Sequence, residues 1–201
     1  MTATTPADRL TVLVLAGGAG RRLGGADKPL LEWQGLPMLD AVLARCPEGA
    51  PTLISANRNL DAYAKRGRVV TDNDVRALAP DLSASGPLIG VLGGLFTAST
   101  DWLLVSPGDT PNLPTKWASA MLDARTSDCE AVVAHDGERQ QNLHLLLHRD
   151  TRNRLRDHLV AGRHEVYLWL EQLRLAHCHF SPDATGDFRN VNTEADLNAR
   201  G

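Results

Sequence analysis

A chain of 201 residues is long enough to bury a substantial core and still fits one α/β domain. Its 21 basic and 24 acidic residues leave a formal net charge of -3, which excludes a general pull toward nucleic acid or anionic lipid, so any anion site must be local. The start of the chain has neither a basic patch nor an apolar core, and no apolar run approaches the roughly 20 residues needed to span a bilayer; the expected location is the cytoplasm, with no membrane partner.

The run Leu-Thr-Val-Leu-Val-Leu at 10–15 is apolar and β-branched and stops at Gly17 and Gly18, as a buried strand does on reaching a loop. Similar short runs predict strands at 52–55, 68–71, 102–106, 131–135 and 143–148. Between them, helical spacing covers 37–45, 60–65, 87–99, 114–125 and 151–160, several of these opening on proline, which suits the first turn of a helix. The segment 72–85, with Asn73, Pro80 and three aspartates, reads as a mobile loop, and 166–175, with Tyr167, Trp169 and its leucines, as an amphipathic helix packed on the sheet. Strands alternating with helices of about ten residues predict an α/β fold: a single Rossmann-like domain over 1–201, with a mostly parallel central sheet covered by helices on both faces. Cys46, Cys129 and Cys178 lie far apart and suit neither a disulfide framework nor a CxxC metal site; they read as reduced, mostly buried thiols.

Directly after the first strand comes a basic, glycine-rich stretch: Gly17, Gly18, Gly20, Gly24 and Gly25, with Arg21, Arg22 and Lys28 among and beyond them. Glycine lets backbone N–H groups turn inward to cradle phosphate oxygens, and the cations supply charge. Pro29 biases Lys28 toward an extended backbone and so restricts the direction its side chain takes. The stretch is not a P-loop, because Ala26 stands where lysine is required, nor a dinucleotide fingerprint, because Leu23 stands where the third glycine belongs.

Leu-Ala-Gly-Gly followed by this loop and by Asp-Lys-Pro-Leu-Leu resembles the nucleotidyltransferase superfamily. With Asn57 and Arg58, Asp72, Gly86-Pro-Leu-Ile-Gly90, Pro107-Gly-Asp-Thr-Pro111 and Asn190-Val-Asn192-Thr, the chain from about 13 to 197 is similar to the molybdenum cofactor guanylyltransferases. The resemblance implies transfer of GMP from GTP to Mo-molybdopterin with release of pyrophosphate. It implies a nucleotide-binding half over about 10–110 and an acceptor-binding half over about 111–197. It also implies GTP contacts at Leu15, Ala16, Gly17, Lys28, Asn57, Asp72 and Asp109, with Asp109 holding Mg2+, and matches Arg22 and Gly25 to positions of the catalytic loop. The implied protein partners are a molybdenum insertase and apo-molybdoenzymes or their chaperones.

The chemistry of the residues agrees with these roles and leaves alternatives. Asp109 follows a strand in a tight turn at the carboxyl end of the sheet, where ligands bind in such folds; it either ligates magnesium, which needs few protein carboxylates, or caps the turn. Asp72 can accept the paired N–H donors of guanine, which cytosine lacks, or can simply be solvated. Asn190 and Asn192 alternate on an extended segment and either contact the acceptor or serve the turn before a helix capped near Thr193. The segment 137–143 departs from the family pattern and leaves acceptor contacts there open. His177 and His179 share one face of a predicted strand and read as structural or surface residues, and no histidine is assigned catalysis. The competing functions are a cytidylyl or sugar-phosphate nucleotidyltransferase, and a carrier of finished cofactor that does not catalyse.

Overall fold

A computed structural model describes residues 10–17, 27–83, 85–181 and 186–198. Strand β1 (Leu10–Leu15) is buried along nearly its whole length. A 3-10 turn at Lys28–Leu30 leads to a small antiparallel ribbon, β2 (Glu32–Trp33) and β3 (Leu36–Pro37), reversed by Gln34 and Gly35. Both turn residues have positive φ, 51° and 89°, as a two-residue hairpin with the twist of its strands requires. Helix α1 (Met38–Leu43) follows, then β4 (Thr52–Ser55), α2 (Leu60–Ala64), β5 (Arg68–Val70), α3 (Asp72–Leu78) and α4 (Pro87–Thr97). After β6 (Trp102–Pro107) come α5 (Trp117–Asp123), β7 (Ala131–His135), β8 (Gln140–His148), α6 (Arg152–Val160), α7 (Val166–Leu170), β9 (Leu175–His179) and α8 (Glu194–Asn198).

The seven-stranded sheet runs β5-β4-β1-β6-β8-β7-β9, and only β8 is antiparallel to its neighbours. Alternate strand residues feed two separate cores. Leu13, Val105, Val133 and Leu145 pack with α3, α4, α6 and α7 on one face, whereas Val12, Val14, Leu104, Val132 and Leu146 pack with α1, α2 and α5 on the other. Covering both faces explains why β1 reads as a continuous apolar run instead of an alternating one. Helix α4 lies close on the sheet because Gly94 has no side chain: a Cβ there would come within 2.6 Å of Leu13.

Three expectations need correction. Lys28, expected to be extended before Pro29, instead opens the 3-10 turn Lys28–Leu30, in which Leu31 N–H donates to the Lys28 carbonyl at 3.0 Å. The 72–85 segment opens as helix α3, because Thr71 and Asp74 form a reciprocal capping box that satisfies the first N–H groups, while Val75, Ala79 and Leu82 enter the core. The 166–175 helix ends at Leu170; Leu175 already begins β9, which pairs with β7 at Ala131. Strand β8 is longer than its apolar run because Gln140 and Gln141 pair with His135 and Ala134 past a bulge at Val133/Ala134. The cysteines are free; Cys178 is buried and Cys46 and Cys129 are half-buried, with burial pushing the Cys46 thiol up to about 12.

Candidate active site

The chain leaves β1 toward β4 and β5, then crosses back to β6 on the other side of β1. That reversal makes the carboxyl end of β1 a topological switch point, where connections diverge and leave a crevice. Backbone bonds tie the three strand ends together there: Ala16 N–H donates to Ser55 at 2.8 Å and Gly108 N–H to Leu15 at 2.9 Å. The crevice is a cavity of about 490 Å³, a size suited to a small-molecule ligand. Leu15, Ala16, Gly17, Ser55 and Asn57 line one side, and Asp27, Arg58, Asp72 and the Ser85-Gly86-Pro87 turn complete it.

The loop after β4 organises this cavity. The Asn57 side-chain oxygen accepts the backbone N–H of Asp72 at 2.9 Å and so fixes the first turn of α3 against the pocket. Asn59, held in the left-handed region at φ 48°, donates its amide to Asp27 at 3.0 Å. The Asp72 carboxylate has Arg76 one turn along the helix at 3.8 Å, a partly exposed pair of little energetic weight.

A second cluster lies beside the cavity, built from three distant segments. Lys28 Nζ donates to Asp109 Oδ2 at 2.7 Å and to Asn192 Oδ1 at 2.8 Å. The backbone approach that permits this depends on Gly108, where a Cβ would meet Pro29 at 3.0 Å. The C-terminal segment is fastened along the turn after β6. Asp187 N–H donates to Asn112 at 2.7 Å and Val191 N–H to Asp109 at 2.9 Å, while the Thr110 hydroxyl donates to Asn190 at 3.3 Å. Capping before α8 falls to Thr193, whose hydroxyl accepts Asp196 N–H at 3.1 Å, leaving the Asn190 amide to accept from Thr110 and the Asn192 amide to accept from Lys28.

Of the residues singled out in the sequence, Leu15, Ala16, Gly17, Asn57 and Asp72 line the cavity, and Lys28, Asp109, Asn190 and Asn192 gather beside it. Arg22 and Gly25 lie outside the described residues. The sequence reading passed over Asp27, Ser55 and Ser85; for Asp27 the available signal was an acid adjoining the reaching lysine. Among the described residues no group of three or more His, Cys, Asp or Glu is placed to hold a metal. Asp109 is thus a single carboxylate, a donor set that fits an ion taking its other ligands from substrate phosphates and water. At the sheet edge His179 tilts against His135, with ring centroids 4.9 Å apart, and stacks on His177 at 6.2 Å. His144 is fully buried, and burial pushes its imidazole down to about 3.

Residues 12–177 match the model of the family described as MobA-like NTP transferase domain. The chain belongs to this family. It is 37% identical over 187 residues to the molybdenum cofactor guanylyltransferase of Shewanella loihica, covering 92% of each chain. It is 34% identical over 192 residues to the protein of that name from Mannheimia succiniciproducens, covering 94% of this chain and 97% of the relative. The fold is similar to molybdopterin-guanine dinucleotide biosynthesis protein A of Archaeoglobus fulgidus, with TM-score 0.69 at 18% identity over 93% and 94% of the two chains. It is similar too to the inositol-1-phosphate CTP transferase of T. maritima, with TM-score 0.68 at 14% identity over 95% and 92%. The chain is a nucleotidyltransferase of molybdenum cofactor biosynthesis, with the α/β fold of such transferases. None of its helices among the described residues is long and apolar enough to cross a membrane.

Proposed function

We propose that this chain transfers GMP from GTP to Mo-molybdopterin. The observation that carries the reading is the junction at Lys28, whose ammonium joins Asp109 to Asn192 at the edge of the cavity lined by Leu15, Ala16, Gly17, Asn57 and Asp72. A nucleotide in the cavity would direct its phosphates to that junction, where a cation, a carboxylate for a metal and an acceptor-side amide converge. Fold similarity does not choose the base, since a CTP-using transferase shares it; the names of the relatives at 34–37% identity favour guanine.

In this reading Asp72 accepts the N1–H and N2–H2 donors of guanine, with Asn57 fixing its backbone, and the backbone at 15–17 meets base and ribose. Asp109 would hold Mg2+, which would supply charge neutralisation for the triphosphate. Lys28 binds the phosphates, and Arg22 and Gly25 take the catalytic part that their resemblance to the family's catalytic loop implies. Asn190 and Asn192 orient the acceptor, whose phosphate oxygen attacks the α-phosphorus. The bond from that phosphorus to the bridging oxygen breaks, and pyrophosphate leaves with the electron pair. The nucleotide half then spans about 10–110 and the acceptor half about 111–197. A cytoplasmic setting, with a molybdenum insertase upstream and apo-molybdoenzymes or their chaperones downstream, completes the proposal.

Incubation with Mg2+, Mo-molybdopterin and either GTP or CTP, following pyrophosphate and the dinucleotide product, tests it. Product from GTP supports the reading; product from CTP alone replaces it with the cytidylyl function, and binding without pyrophosphate release points to a carrier.

A further inference from the structure

We infer that Asp27 is a positioning residue for Lys28, and through it for the phosphates of the nucleotide; the inference rests on the nucleotide site proposed above. The Asp27 side chain is only 7% exposed although it borders the cavity. A carboxylate removed from water to that degree is costly unless hydrogen-bonded or paired. Among the described residues its hydrogen-bond and ion-pair partners come from the loop after β4: the Asn59 amide at 3.0 Å and the Arg58 guanidinium at 3.9 Å. Beneath that loop lies the buried phenol of Tyr63, pushed up first by burial and then by the charge of Asp27.

This clamp belongs to neither apolar core; its geometry serves the neighbour. The Asp27 carbonyl accepts Leu30 N–H at 2.9 Å and so starts the 3-10 turn that carries Lys28, while Pro29 of the same turn packs on Gly108. Lys28 is therefore fixed from two sides, by Asp27 to the loop after β4 and by Pro29 to the turn after β6. A lysine side chain has much rotamer freedom to lose, so a fixed backbone narrows the volume its ammonium searches and places it against the phosphates. Direct contact between Asp27 and a triphosphate is the poorer assignment, since like charges repel. The loop that orients Asp27 through Asn59 also orients Asp72 through Asn57, so the base-side and phosphate-side groups share one reference frame.

The test is a thermodynamic cycle on equilibrium binding of GTP in Mg2+, with guanosine as a probe that lacks phosphates. If Asp27 acts through Lys28, Asp27→Ala weakens GTP about tenfold in the wild-type background but less than about twofold in Lys28→Ala, because two groups acting as one unit are not additive. Guanosine binding stays within about twofold, and Asp27→Asn, which keeps an acceptor for Asn59, recovers most GTP affinity. Asn59→Gly removes the clamp from the other side, tolerates the left-handed backbone, and is expected to show the same pattern should Asp27→Ala fail to fold. Multiplying effects of the Asp27 and Lys28 changes, an equal loss for guanosine, or undiminished GTP binding in both Asp27→Ala and Asn59→Gly would each overturn the inference. Wild-type GTP affinity in Lys28→Ala overturns the phosphate role of Lys28 together with this inference. That outcome is distinct from additivity, in which Lys28→Ala does weaken GTP.

Discussion

The ammonium of Lys28 and the carboxylate of Asp109 meet at 2.7 Å across 81 residues of sequence, each about four-fifths buried. The carboxylate proposed for the metal is thus paired with a cation. A metal ion must share or displace that pair, which a triphosphate assists by drawing the ammonium to itself. Lys28→Met is expected to bind Mn2+ without nucleotide about fivefold more tightly than wild type, roughly 1 kcal/mol for a partly exposed pair, while binding GTP more weakly. Calorimetry or Mn2+ resonance in the absence of nucleotide checks the first half; equal or weaker Mn2+ binding refutes the competition.

Asp109→Ala removes the proposed metal ligand from a turn whose backbone stays bonded through Val191 and Gly108. Metal-dependent pyrophosphate release is expected to fall by at least about a hundredfold, the scale of losing a main electrostatic group, with an unchanged circular dichroism spectrum. Wild-type turnover in this variant would sink the metal assignment.

His144 gives a pH dependence of stability with a definite sign. Burial pushes its imidazole from 6.5 down to about 3 in the folded chain, so the unfolded chain takes up the proton first. Its contribution is absent above the unfolded value and grows unfavourable as pH falls from about 6.5 toward 3. Compared with His144→Leu, wild type should lose about 2 kcal/mol more stability between pH 7 and pH 5. Parallel denaturant curves for the two proteins at both pH values would contradict this.

Phe188 is buried, packs edge-on against His144 with ring centroids 4.9 Å apart and against Phe180 at 5.0 Å, and seats the segment that carries Asn190 and Asn192. Phe188→Ala is expected to cost about 3 kcal/mol of stability, from lost burial and a cavity, and to raise KM for the acceptor more than KM for GTP. Phe188→Leu should cost about 1 kcal/mol and keep the acceptor KM. A larger change for GTP than for acceptor would detach this segment from acceptor binding.

Much of the site was legible because its information is local. The buried strand that ends at Leu15 delivers Ala16 and Gly17 to the cavity, and Asp109 lies in a proline-bounded turn after another strand, at the carboxyl end of the sheet. Asp72 was harder. Its segment is rich in turn formers, and the helix that begins there depends on the Thr71–Asp74 capping box together with burial of Val75, which composition alone does not weigh. Asp27, quoted only as part of a motif, was given no role because an acid beside a lysine proposed to bind phosphate has no evident use until its partner Asn59, 32 residues away, is placed against it.

The sequence by itself determined the class of fold, the central strand and the family, because periodicity, turn chemistry and motif spacing act over a few residues. Tertiary structure decided that β8 runs antiparallel, that the strand carrying His177 and His179 begins at Leu175 and lies at the sheet edge, and that Lys28, Asp109 and Asn192 form one junction. Those outcomes depend on which distant surfaces bury one another. Short apolar segments are compatible with strand or helix, and with either strand direction, until a neighbouring face selects among them.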